Sequence, residues 1–347
     1  MRNHSIDIAK AICIILMVVG HSGCPIPLRS FIYMFHMPCF FFISGYLLND
    51  KYLTDVKRGL TQKVRGSYYP FVKWTLIFIL LHNLLAYLHI NGTYYSWSDF
   101  LERTIRAFTM TGSESLLGGF WFLISLCLAS TASLLFLSCL SNRGKITTNY
   151  ILGGGVIVTL SVASIWKWNP IPLPQMFEEQ TIMAIVFYLC GYIYKRRELS
   201  CQHSLAFGLT LMVVPVIVSC YTSFSMTDTV GLKLLCYYPI AIIGTLGVIQ
   251  ISKGIAKYKI HSVLSYIGER TLYILIFHFL AFKFISLFYI IFNELSIESY
   301  LPLPLIKEAN CWLWIAYTIA GVTIPLLLWE LLHFKVNYRN IVKSKKR

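Results

Sequence analysis

The chain has 347 residues, 56% of them hydrophobic and 13% charged, with a mean hydropathy of +0.64. That profile excludes an ordinary soluble domain and describes a polytopic membrane protein. The net charge of +15 invites a nucleic-acid reading, but the basic residues alternate between loops instead of gathering on one soluble face, so the charge reports topology and no nucleic-acid partner is expected.

Apolar runs of helix-spanning length, about 17 to 25 residues, fall near 7–23, 29–49, 67–90, 117–140, 148–166, 179–194, 204–221, 234–252, 270–292 and 310–333. They predict an all-α integral membrane fold with about ten transmembrane helices. The first and sixth runs are short, which suits helices buried among others. A membrane domain is expected over residues 1–334, followed by a short basic cytoplasmic tail at 335–347 that is partly disordered.

The first run carries Asp7, Lys10 and His21. The eleven-residue step from Lys10 to His21 is about three helical turns, which puts both side chains on one face, roughly 16 Å apart along the axis. Ionisable residues inside a membrane are expensive and usually face the bundle interior or a wet cavity, so this face reads as a site. The plainer alternative has Lys10 snorkelling to the cytoplasmic surface and His21 at the far headgroup level. Asp7 and Lys10 also interrupt the segment as a cleavable leader, and no small-x-small site follows it.

Between the second and third runs, Thr54 to Ser67 mixes cations with Leu60 and Val64 and predicts an amphipathic helix at the cytoplasmic surface, either a binding patch or a headgroup anchor. Trp97 to Met110 has apolar residues at helical spacing and predicts a helix in the outer interface. Gly118-Gly119 opens the fourth run and Gly153-Gly154-Gly155 lies in the fifth. Neither has the context of a phosphate loop, so close helix packing is the better account. His278 and Lys283 lie inside the ninth run, and Glu330, near the inner end of the last, is placed to meet a cytoplasmic cation.

The side that holds both termini collects 21 of the 30 Lys and Arg residues, against six on the other side and three inside runs. By the positive-inside rule both termini are cytoplasmic. The ten cysteines are scattered, mostly in apolar runs, without the spacing of a metal site, and no metal is expected. Cys24, Cys220 and Cys311 fall on the expected outer face, where a disulfide is one option.

Several motifs together resemble the integral-membrane acyltransferase family 3, which includes O-acetyltransferases of bacterial surface polysaccharides and the fucose 4-O-acetylase-like group. They are Lys10 and His21, then His36-Met37-Pro38 followed by Phe41, Phe42, Ser44, Gly45 and Tyr46, then Trp121-Phe122-Leu123, and last Gly268, Thr271, Leu272 and His278. They are spread in the family's order over most of the chain. Many members carry Arg where Lys10 stands, and an Arg-x-x-Arg where this chain has Lys63-Val64-Arg65 ahead of Pro70. The resemblance covers the membrane module and not the soluble esterase-like domain that some members append.

The resemblance implies a multi-pass enzyme of a bacterial inner membrane. It would move an acyl group, acetyl by default, from acetyl-CoA or another acyl-CoA to a hydroxyl of a cell-surface glycan or its lipid-linked sugar precursor. A hydroxyl is a poor nucleophile until a base takes its proton, a role that suits neutral His near pH 7 and goes here to His21. Lys10, held by Asp7 through an i,i+3 pair, stands along the donor's path, and Lys63 and Arg65 are the candidates for the coenzyme phosphates. Ser44, Trp121 and His36 are candidate oxyanion donors, with His278 in support. The competing class is a secondary transporter of an anionic solute, which would have the same intramembrane charges but no reason to cleave a thioester. A non-catalytic scaffold in a polysaccharide-assembly complex is a third possibility. The acceptor sugar, acyl length and oligomeric state stay open at this point.

Overall fold

The structure is a computed structural model that describes residues 3–141, 153–162, 179–197, 205–229, 233–296, 305–306 and 312–344. Every regular element among them is helical. The first three helices are α1 (His4–His21), α2 (Ile26–Tyr33) and α3 (His36–Tyr46). After a single turn at Lys51–Thr54 come α4 (Val56–Tyr87), α5 (Trp97–Thr109), α6 (Trp121–Leu140) and α7 (Gly153–Val162). The chain continues through α8 (Glu179–Arg196), α9 (Leu205–Tyr221), α10 (Lys233–Ile255), α11 (His261–Glu269), α12 (Thr271–Phe292) and α13 (Leu313–Ser344).

Seven helical stretches among the described residues are long and apolar enough to cross a membrane: α1, α2 with α3, α4, the stretch Ser115–Leu140, α10, α12 and Leu313–His333. The three remaining runs correspond to α7, α8 and α9. The first of these, at 148–166, lies partly outside the described residues. The second, α8, carries a Glu at one end and Lys195 and Arg196 at the other, and its middle is enclosed, with Met183, Ala184, Phe187 and Tyr188 fully buried. The third, α9, has 17 residues. A helix surrounded by protein is freed from matching the hydrocarbon thickness. The same holds for α1, where Ile8, Ala9, Ala11, Cys13 and Val18 are fully buried.

Two prolines shape the backbone around the centre. Pro38 has no N–H to offer Met34, four residues back, and its ring crowds that carbonyl, so the second run breaks at Met34-Phe35 into α2 and α3. Pro70 does the same to Gly66, and there the helix stays continuous by widening into a π turn at Val64–Tyr68. The predicted amphipathic helix is thus the start of α4, with Gly59 against Leu134 of α6.

Close backbone crossings hold the bundle together. A Cβ on Gly45 of α3 would run into the carbonyl oxygen of Tyr188 on α8, and one on Gly191 of α8 would meet that of Phe42 on α3. Gly268 of α11 is seated in the same way on the carbonyl of Asp7 in α1. Small residues let helices approach to backbone distance, where dispersion contacts are densest. The packing role expected of the other glycines holds for Gly119, against Leu275, and Gly155, against Phe136, whereas Gly153 and Gly154 have nothing within 4 Å.

Helix α5 is closed at its start by a reciprocal Ser96–Asp99 capping box. The Tyr95 amide donates to Asn83 Oδ1 at 2.7 Å and the Tyr68 hydroxyl to the Phe108 carbonyl at 2.9 Å. Both ends are thereby tied to α4, so α5 runs back along that helix, with Trp97, Leu101, Ile105 and Phe108 exposed in one stripe. Helix α13 continues through Phe334 to Ser344, where the sequence suggests partial disorder. Cys24 and Cys220 are free thiols, and Cys311 lies outside the described residues.

Replacing Gly191 with Ala should force α3 and α8 apart and cost about 1–3 kcal/mol or more, the usual range for overpacking. Gly153→Ala, which meets open space, is the control. A melting temperature in detergent that falls for Gly191→Ala and not for Gly153→Ala is the expected result.

Candidate active site

Asp7, Lys10, Ile14, Met17 and His21 follow one another at steps of three and four residues, which aligns them on one face of α1 over about 21 Å of helix. That face forms one wall of a cavity of about 600 Å³. Helix α3 supplies His36, Phe40 and Ser44 to the opposite wall and α6 supplies Trp121 and Phe122. Gly268 and Glu269 of α11 line the cavity beside Asp7, and the segment Ser225–Thr227 joins the lining from the loop after α9. Apolar surface between two polar ends is the usual form of a small-molecule site.

At the Asp7 end, Lys10 Nζ lies 3.2 Å from Asp7 Oδ1, the i,i+3 pair expected from the sequence. The Asp7 side chain is 8% exposed and that of Lys10 26%, so the pair sits at the edge of the protein interior and the lysine keeps access to the cavity. At the other end the His21 ring lies between Tyr33, Phe279 and His278, with centroid distances of 6.1, 5.3 and 5.6 Å. Tyr33 is held by donating to the Gly20 carbonyl at 3.1 Å, and its ring occupies the space that a side chain at Gly20 would take. No hydrogen bond to the His21 ring is found among the described residues, which leaves it free for a ligand.

The other predicted residues divide into two groups. His36, Ser44 and Trp121 line the cavity with Asp7, Lys10 and His21. The His36 Nδ1–H is used on the Ile32 carbonyl at 2.9 Å, and the Ser44 hydroxyl donates to the Phe40 carbonyl at 2.8 Å. Trp121 keeps its indole N–H without an acceptor among the described residues. Lys63, Arg65 and His278 are off the cavity wall. Lys63 faces α8, donating to the Tyr188 hydroxyl at 3.0 Å with its Nζ 5.3 Å from the ring centroid. Arg65 is exposed beside Gly66, which does reach the cavity. His278 is fully buried behind His21. Its Nδ1 lies 3.1 and 3.0 Å from the carbonyls of Ile274 and Leu275, and its Nε2 has no partner among the described residues. An unsatisfied buried polar atom costs about 1–3 kcal/mol.

Three features escape the sequence reading. Tyr33 lies in an apolar run like any core tyrosine, and Ser225–Thr227 reads as an ordinary polar loop. The third is a buried cluster at the far end of α4, where His82 contacts the Glu114 carboxylate at 3.0 Å and the Thr93 carbonyl at 2.9 Å, and Tyr95 stacks on the His82 ring at 3.3 Å. Arg103 completes it, 3.7 Å from Glu114. This cluster lies away from the cavity and ties the C-terminal end of α4 and the start of α5 to the turn before α6. Glu330, expected beside a cation, accepts a hydrogen bond from the Tyr266 hydroxyl, and burial together with that carboxylate pushes the Tyr266 phenol up to about 12.

A family profile described as an acyltransferase domain matches residues 3–330. The chain belongs to the acyltransferase 3 family. It is therefore a membrane acyltransferase at the level of the family. The nodulation protein NolL of Sinorhizobium fredii is 27% identical over 181 residues, which cover 48% of this chain and 46% of that protein. The chain thus matches about half the length of this curated relative. No solved structure matches the chain significantly.

Removing the carboxylate with Asp7→Ala should strand the Lys10 charge at the edge of the interior and cost about 1–3 kcal/mol, below the roughly 3–5 kcal/mol for breaking a fully buried pair because Lys10 is partly solvated. Asp7→Glu should recover part of the loss. Thermal unfolding of the purified variants measures both.

Proposed function

We propose that the protein transfers an acyl group, acetyl by default, from acyl-CoA to a hydroxyl of a cell-surface polysaccharide or its lipid-linked precursor in a bacterial cytoplasmic membrane. The observation that carries the reading is the cavity along α1, with a lysine near one end and an unengaged histidine at the other. In the proposed topology about ten spans place both termini and most cations on the cytoplasmic side, so the anionic donor enters at the Asp7 end. The distance from Lys10 to His21, about 16 Å, suits an extended pantetheine arm whose thioester reaches His21.

His21 then takes the proton of the acceptor hydroxyl as its oxygen attacks the thioester carbonyl. The tetrahedral intermediate collapses with cleavage of the C–S bond, and the thiolate leaves with a proton as free coenzyme A. Developing negative charge on the carbonyl oxygen needs a donor aimed at it. Trp121 is the best placed of the candidates, because Ser44 and the Nδ1–H of His36 are already committed to backbone carbonyls. Lys10 offers a compact charge along the donor's path. Arg65, exposed next to a residue of the cavity wall, is better placed than Lys63 to meet a coenzyme phosphate.

His21→Ala should abolish acceptor-dependent release of thiol from acetyl-CoA while the protein stays folded, a loss of roughly 10²–10⁴-fold. Lys10→Ala should be strongly impaired and Lys10→Arg only partly, because charge and reach survive. Solute uptake into liposomes with no thiol release would instead identify a carrier.

Sidedness is a separate expectation. His21 lies at the end of the cavity opposite the proposed donor entrance, so the acceptor should come from the outer face. In sealed proteoliposomes of known orientation, acetyl-CoA on the cytoplasmic face should acylate an impermeant glycan on the other. Product formed only when both share the cytoplasmic compartment would overturn this.

A further inference from the structure

His278 contributes no atom to the cavity wall, yet it is fully buried and its ring centroid lies 5.6 Å from that of the proposed base. Its surroundings are apolar: the Phe279 ring centroid lies at 4.1 Å and that of Phe282 at 5.7 Å, and the position of an added Cβ on Gly119 is 3.9 Å from Cε1. Two carbonyls of its own helix, those of Ile274 and Leu275, sit at hydrogen-bond distance from Nδ1. A carbonyl only accepts, so Nδ1 carries the proton and Nε2 presents a lone pair. That lone pair has no donor among the described residues. A polar atom left unsatisfied in such a place marks a position where stability has been traded for function.

The His21 ring is the neighbour able to use it. The two centroids are 5.6 Å apart with the planes inclined at 40°, a separation that two facing ring nitrogens can nearly span, and catalytic hydrogen bonds are often long in resting sites and tighten when substrate binds. His36 is directed elsewhere, with its ring against Tyr33 at 5.2 Å and its Nδ1–H on Ile32.

We propose that His278 is a positioning residue for His21. Its Nε2 accepts the N–H of the His21 ring, which holds His21 in the one neutral tautomer whose other nitrogen presents a lone pair to the cavity. When that nitrogen takes the acceptor's proton, the imidazolium keeps its hydrogen bond to the His278 lone pair, and no proton moves to His278. This is the role that a carboxylate plays in a serine-protease triad, filled here by a neutral acceptor. A neutral partner suits an enclosed apolar setting, where an unpaired carboxylate would be costly. The inference rests on the reading of His21 as the base.

The test compares purified full-length His278→Leu, which keeps bulk but removes the acceptor, with His278→Gln, which restores an acceptor at similar reach. With saturating acceptor, His278→Leu should lower kcat for thiol release roughly 10- to 100-fold, the range for removing a second-layer partner, and leave KM for acetyl-CoA unchanged. His278→Gln should regain part of kcat. Adding His278→Leu to His21→Ala should cause no further loss. In wild-type protein with ¹⁵N-labelled histidine, the resonances lost in His21→Ala should report a single neutral tautomer, and this measurement holds even if His278→Leu does not fold. Wild-type kcat in His278→Leu, or a His21 ring averaging between tautomers, would overturn the positioning role and leave the base assignment standing. Turnover retained in His21→Ala would overturn the base assignment itself.

Discussion

The structure depends on one constraint: a helix that must carry an acid, a lysine and a histidine through an apolar bundle has to hide them from lipid without sealing them from substrate. Helix α1 meets it by aligning all three on a single face and giving the rest of its surface to the core. Asp7 and Lys10 neutralise each other at 3.2 Å, which lowers the cost of holding a charge near the interior. The other helices are arranged around that face, and the cavity is the space left between α1, α3, α6 and the junction of α11 with α12.

Keeping α1 central requires that its neighbours come close, and the glycine crossings are how they do so. Gly268 brings the end of α11 onto the backbone of Asp7, and both residues line the cavity at the lysine end. Gly45 and Gly191 lock α3 to α8, and this fixes the wall that carries His36 and Ser44. The break before Pro38 turns α3 so that His36 and Ser44 reach the same cavity, and the π turn before Pro70 brings Gly66 to its edge. Backbone irregularities at these two prolines thus serve the site directly.

The chemistry is distributed unevenly between the ends. At one end the Asp7–Lys10 pair stays partly solvated. At the other, imidazoles, a phenol and aromatic rings gather in enclosed surroundings, which suit the proposed proton acceptor. The buried His82–Glu114 cluster stands apart from both. It fixes the C-terminal end of α4 against the turn that leads into Trp121, a residue of the cavity wall.

Much of this was determined by the sequence alone. Composition and run length identified a helical membrane protein, because in hydrocarbon every backbone group must bond within its own segment and a spanning helix leaves an unmistakable run. The Lys10–His21 spacing placed both residues on one face, because helical periodicity is a local property. What only the tertiary structure decided concerns residues far apart in the chain. Lys63 and Arg65 look like a phosphate site in one dimension, but Lys63 turns inward and donates to the Tyr188 hydroxyl of α8. His278 lies 257 positions from His21 in the chain; the motifs grouped it with the site, but only the packed bundle shows that the two rings meet and that one nitrogen has no partner among the described residues. Helices pack by shape over their whole length, and which faces end up opposed is a property of the assembled bundle that no local pattern encodes.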